Sequence, residues 1–256
     1  MDYINDSMKS ILSKLFQWHP SKETLTALIS GLLVIALSAA MIPADRVPWV
    51  QIMLRDIMMI YLVGILFPLL YIRRSTHTFH SFGLSLKRWY IYLPINVVLG
   101  VLFFLMFLSE NPPPPDLTYD VTIILKLAFV MLAGIFEVVF FYSFLRTLFE
   151  QAFGIVPGIV LASLCYSFHH VGFQPEFGKL IFVGLLYATV FRLGNSALLI
   201  YPFFWGIGAS YDVFIQSQVV SPILYPGTRS LYLAVLILMA GIWTYRKTRT
   251  GNTLVL

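Results

Sequence analysis

Glu137 lies within the apolar run MLAGIFEVVFFYSFLRTLFE, and His169 and His170 close the next one, IVPGIVLASLCYSFHHVG. An ionisable side chain deep in a bilayer costs at least about 2.5 to 3.5 kcal/mol, so it faces a bundle interior and has a partner there. The two histidines are the nearest candidates in sequence. A carboxylate beside an imidazole in a dry site is suited to act as a general base on water. An imidazole N–H is suited to hold the oxyanion formed when that water attacks a carbonyl. Catalytic roles are therefore expected for Glu137, His170 and His169. Adjacent residues project about 100° apart on a helix, so one histidine is expected to face the site and the other its rim. A catalytic zinc usually takes three protein ligands and keeps an open position. With no HExxH pattern in the chain, neither a metal nor any other cofactor is expected.

These residues require two helices that touch at a common depth. Taking Arg146 and Ile155 as the ends on one side, Glu137 stands about 13 Å and His170 about 22 Å from it at 1.5 Å per residue. Helix tilts of around 20° and long side chains are expected to absorb the difference of roughly 9 Å. Gly134, Gly158, Ala162 and Ser163 suit close approach of the two helices.

The remainder of the chain is lipid-adapted. Of 256 residues, 59% are hydrophobic and 11% charged, where soluble domains carry about 25% charge. Apolar runs of about 17 to 25 residues, each able to cross a bilayer core, recur along the length. Eight spans are expected at 25–42, 50–72, 89–108, 121–148, 155–171, 179–191, 197–215 and 231–245. The fold class is therefore an all-α polytopic membrane helix bundle, a single domain over residues 1–256. The segments PADRVP and NPPPPD should stop helices sharply, because proline breaks the helical bonding pattern. Residues 1–23 are expected to be retained as a cytoplasmic amphipathic segment on the membrane surface.

A formal charge of +5 suggests no nucleic-acid partner, because the basic residues sit at span ends rather than in one patch. With the N-terminus in the cytoplasm, twelve of the seventeen basic residues fall on that side, the bias that orients membrane proteins. Arg146 and Arg192 are read as topology anchors within that set. Both termini are thus expected in the cytoplasm, with the chain in a plasma (inner) membrane and membrane lipid as its surroundings. The lone Cys165 supports neither a disulfide framework nor a CxxC site. No internal repeat of fixed period is present.

The stretch FEVVFFY, the pattern YSFHH, the segment FGLSLKRW before a span and the run GLLYATVFRLGNSALLIYPFF together resemble the CAAX protease and bacteriocin-processing family of intramembrane proteases, also called Abi. The resemblance covers roughly residues 82–212. Glu137 takes the place of the second glutamate of the family's first motif, and Phe140 its usual Phe. Tyr166 and His170 match the Phe and His of the second motif. Phe136 stands where the family has its first glutamate and Phe141 where it has arginine. No histidine follows His170, although the third motif would fall near Phe203. The resemblance implies an intramembrane endopeptidase in which Glu137 activates water and His170 assists, acting on a lipidated or transmembrane protein. Tyr166 and Asp212 are assigned to substrate binding.

Three functional classes follow. The first is a protease of this type with a reduced site. The second is a catalytically inactive relative serving as a membrane scaffold or maturation factor, favoured by the missing third-motif histidine. The third is a small-solute or proton-linked transporter using Glu137 and His170 as a relay.

Overall fold

A computed structural model describes residues 12–44, 47–84, 88–115, 117–201, 203–215 and 223–251. Residues 1–11 of the expected N-terminal segment lie outside them, as do residues 85–87 of FGLSLKRW. The described chain is all-helical and contains no strand. We number its helices α1 (Lys22–Ala39), α2 (Pro48–Arg74), α3 (Trp89–Glu110), α4 (Val121–Phe153), α5 (Ile155–Phe168), α6 (Phe177–Gly194), α7 (Ala197–Ile200), α8 (Phe203–Phe214) and α9 (Pro226–Gly251). Six of them, α1 to α4, α6 and α9, are long and apolar enough to cross a bilayer, and α5 is a shorter apolar helix. The protein is an integral, multi-pass membrane protein.

Local chemistry sets the helix ends. Ser21 caps α1, its hydroxyl accepting from the Glu23 N–H while its own N–H donates to Thr24. Asp120 caps α4 by accepting from the Ile123 N–H at 2.9 Å. Such caps satisfy N–H groups that have no partner inside the helix. PADRVP and NPPPPD separate helices as expected. The span expected at 197–215 is instead broken at Tyr201, leaving α7 and α8. Asn96 of α3 heals the break by accepting from the Phe204 N–H at 2.6 Å.

The other departure concerns the end of α4. Arg146 is not an exposed anchor: it is buried, donates to the Tyr142 carbonyl, and pairs with Glu150, which also holds Arg192. With its charge neutralised there, α4 continues one full turn and more, to Phe153. Gly154 then reverses the chain at φ +93°, a conformation costly for residues with a Cβ. Residues 17 to 19 dock on this turn through the Gln17 and His19 N–H groups, which donate to the Phe153 and Ala152 carbonyls.

Lipid offers helices little hydrophobic drive to associate, so close packing must hold them together. The centre of the bundle is accordingly aromatic. Phe136, Phe140, Phe141, Phe144 and Phe149 of α4 are fully buried, and Phe136 sits so tightly on α2 that a Cβ at Gly64 would overlap its ring. Helix α5 packs against α6 on one side and the end of α4 on the other. An ion pair fastens α9 to α2: Arg229 donates from Nε and Nη2 to the two oxygens of the fully buried Asp56, each at 2.7 Å. The Tyr232 hydroxyl also donates to Asp56.

Candidate functional site

Glu137 lies 17 residues before Gly154 and His170 lies 16 residues after it. Because α4 and α5 form a hairpin about that glycine, nearly equal arms bring the two residues to one depth. The mismatch of roughly 9 Å expected at 1.5 Å per residue arose from ending α4 at Arg146, and the longer helix removes it. Directly after Glu137 the helix widens into π-helical turns over Val138–Leu145. Such widened turns are rare and recur at functional sites.

Both histidines reach the glutamate. Their Nε2 atoms each stand 3.8 Å from Glu137 Oε1. Of the two, His170 lines the cavity, but both rings can turn to Glu137 because α5 ends at Phe168. His169 and His170 lie in the turn that follows, where the 100° spacing of a helix no longer applies. Their rings make an edge contact with centroids 3.9 Å apart. The turn is pinned by the Gly172 N–H, which donates to Ser38 of α1, and by the Ser167 hydroxyl, which donates to the Phe177 carbonyl.

One backbone atom settles what the histidines present. The Nδ1 atoms of both rings contact the Tyr166 carbonyl oxygen, that of His170 at 2.8 Å. A carbonyl only accepts, so each Nδ1 carries the proton and donates it. In its neutral form each Nε2 then offers a lone pair towards Glu137. The oxyanion-donor role expected for these rings is therefore open only after they take up a proton. Oε1 and the two Nε2 lone pairs converge on a space that a proton, a water or a cation would suit.

The other carboxylate oxygen has a partner that sequence reasoning missed. Trp205 Nε1 donates to Glu137 Oε2 at 3.0 Å, from the first turn of α8. This places an N–H donor two residues beyond Phe203. Its indole lies across Gly134, one turn before Glu137, where an added Cβ would overlap the ring. Gly134→Ala is expected to destabilise the protein by about 1 to 3 kcal/mol, as overpacking does, and to shift tryptophan fluorescence. Thermal unfolding in detergent, with emission spectra, checks both.

Phe136 and Phe141 have a clear occupation. Both rings pack against His169, with centroids 5.6 and 4.6 Å away. They wall that histidine off, so that His169 approaches Glu137 from the buried side and His170 from the cavity side.

That cavity has a volume of about 270 Å³. Glu137, Tyr166, His170, Trp205, Asp212 and Arg55 are among its lining residues. Tyr166 and Asp212, assigned to substrate binding, thus lie in the same space as the catalytic candidates. At its polar end Asp212 accepts from Lys179 and Gln174, and Lys179 also pairs with Glu176. The Gln174 amide and the Lys179 ammonium hold the Glu176 carboxyl below its ordinary range.

The one ligand set for a metal found among the described residues is Glu137, His169 and His170, whose ligand atoms lie within 4.8 Å of one another. Two histidines and a glutamate are a known catalytic zinc set. Histidines whose other ring nitrogen donates to a backbone carbonyl are oriented as metal ligands commonly are. The residues therefore fit a divalent cation, where the sequence alone pointed to none.

Fold and site together define a membrane helix bundle with a buried glutamate–histidine centre that opens on an apolar cavity. Compared with known proteins, the chain matches no family model, no curated protein and no solved structure.

Proposed function

We propose that this protein is an intramembrane hydrolase of the CAAX-protease type, cleaving a peptide bond of a lipidated or transmembrane substrate. The observation that carries the reading is the convergence of Glu137 Oε1 with two imidazole Nε2 lone pairs beside an apolar cavity. Water placed there donates one hydrogen to the carboxylate and the other to an imidazole. Glu137 removes the first proton as the water oxygen attacks the carbonyl carbon. Glu137 then passes that proton to the Nε2 of a histidine, which delivers it to the nitrogen of the leaving amine as the C–N bond breaks, so that acid and amine are released and carboxylate and neutral imidazole are restored. Trp205 holds Oε2, which leaves Oε1 aimed at the histidines. The topology with both termini in the cytoplasm of a plasma (inner) membrane belongs to this reading, supported by the distribution of Lys and Arg.

The test is quantitative peptide mass spectrometry of native membranes carrying the wild-type protein or Glu137→Gln at equal abundance. A discrete product present only with the wild type is expected. Identical profiles would remove hydrolysis and move the scaffold and transport readings ahead.

A second reading is favoured by the His–His–Glu ligand set itself. Glu137, His169 and His170 would hold a divalent cation, which when bound supplies a water more acidic than bulk water. Glu137 is then a ligand rather than the base. Membranes treated with a strong chelator discriminate the two: full cleavage after metal removal supports the glutamate-base form. Loss that zinc restores supports the metal form.

A further inference from the structure

Arg55 has no hydrogen-bond or ion-pair partner among the described residues. Its guanidinium is stacked between two rings, 4.4 Å from the centroid of Phe173 and 5.3 Å from that of Phe129, and its buried Nε has no acceptor. The neighbouring carboxylates are already engaged. Asp56 gives both oxygens to Arg229 and one of them also to Tyr232. Glu137 gives one oxygen to Trp205 and turns the other to the histidines. The other cation lining the same cavity, Lys179, is neutralised by Glu176 and Asp212. Its charge is felt by the nearby carboxylates of Asp56 and Glu137, but neither takes a hydrogen bond from it, so the guanidinium keeps its donors for something that is not part of the chain.

The rest of the cavity states what else that ligand carries. Its walls are aliphatic and aromatic, contributed by α3 (Phe103, Phe107) and α6 (Val183, Leu186) among others. Two further lining residues on these helices, Met106 and Phe182, are 42% and 69% exposed, so exposed apolar side chains of α3 and α6 reach the edge of the cavity. An apolar chain entering along that edge would lie on these walls, with Arg55 lining the same cavity.

We infer that the cavity binds an amphiphile with an apolar chain and one oxyanion, a carboxylate or a phosphate, and that Arg55 captures the oxyanion. Planar guanidinium groups hold such groups through paired, charge-assisted hydrogen bonds. The inference concerns capture alone and does not need the hydrolytic reading to hold.

The test measures binding of radiolabelled dodecanoate, dodecyl phosphate and dodecanol to the full chain in neutral-lipid nanodiscs. Wild-type protein is expected to bind at least one of the two anions about 10 to 100 times more tightly than the alcohol, the range for hydrogen bonds to charged groups. The preferred anion identifies the source of the oxyanion. Arg55→Gln is expected to remove the preference, and Arg55→Lys to retain part of it. Equal affinity of wild-type protein for all three probes overturns the inference without reference to any variant. So does an anion preference that survives in Arg55→Gln. If dodecanoate or dodecyl phosphate binds as expected while membranes show no Glu137-dependent cleavage, the hydrolytic reading fails and the capture site stands.

Discussion

Glu137→Gln is expected to slow product formation by about 10² to 10⁴-fold, the usual contribution of a positioned general base, with little change in abundance or thermal stability. Glutamine keeps the shape of the side chain and a carbonyl oxygen able to accept the Trp205 N–H. Its amide N–H groups would then face the Nε2 lone pairs of His169 and His170, a neutral pairing that needs no buried charge. The substitution thus removes the basic oxygen while leaving the packing and both hydrogen-bonding directions occupied. Rates from the peptide profile and melting in detergent measure the two halves of the prediction. A cleavage rate within a few-fold of wild type would show that Glu137 is not the base, whatever the fate of stability.

The largest effect on stability is expected at the buried ion pair between α2 and α9. Asp56→Ala should destabilise the protein by about 3 to 5 kcal/mol, because removing one partner strands the other charge in a low-dielectric interior. The stranded group is Arg229, which lies 4.1 Å over the Phe129 ring and keeps the Leu224 carbonyl at 3.1 Å but no other carboxylate among the described residues. Asp56→Ala combined with Arg229→Met should recover most of the loss, since an apolar pair of similar size is often neutral in such a place. Chemical unfolding in detergent reads both. A loss below about 1 kcal/mol for the single variant, the range of exposed pairs, would mean the pair is solvated in the folded protein. The same pair also protects Arg55. With Asp56 saturated by Arg229 and Tyr232, the adjacent guanidinium on α2 is left for the cavity.

The class of fold was legible because lipid imposes the strongest constraint a sequence can carry. Long apolar runs between prolines reported the helices, and NPPPPD and PADRVP marked their ends correctly. What failed was inference from charge alone. Arg146 resembled a membrane boundary, but its charge is met inside the bundle by Glu150, and the helix runs on. The break at Tyr201 was signalled by the neighbouring Pro202 in the sequence, yet the compensation by Asn96 is 108 residues distant and invisible locally. At the site, Glu137 and His170 could be found because charge is expensive where they lie. Trp205 could not, because an indole in a membrane helix looks like packing, and only its closeness to Gly134 and Glu137 reveals the donor. The pairing of both histidines with one carbonyl depends on the exact end of α5, the kind of boundary that sequence periodicity defines least well.

The equal arms of the α4–α5 hairpin turn the site into a matter of register. Removing one residue between Glu137 and Gly154 would slide the glutamate about 1.5 Å along its axis and swing it about 100° around it, out of reach of both imidazoles. Adding or removing a residue in each arm would shift depth for both partners together but still rotate each away from the other. Substitution is thus tolerated where insertion is not. In distant homologues, a glutamate and a histidine equidistant from a reversing glycine is therefore a more durable mark of this site than the motif letters on either side.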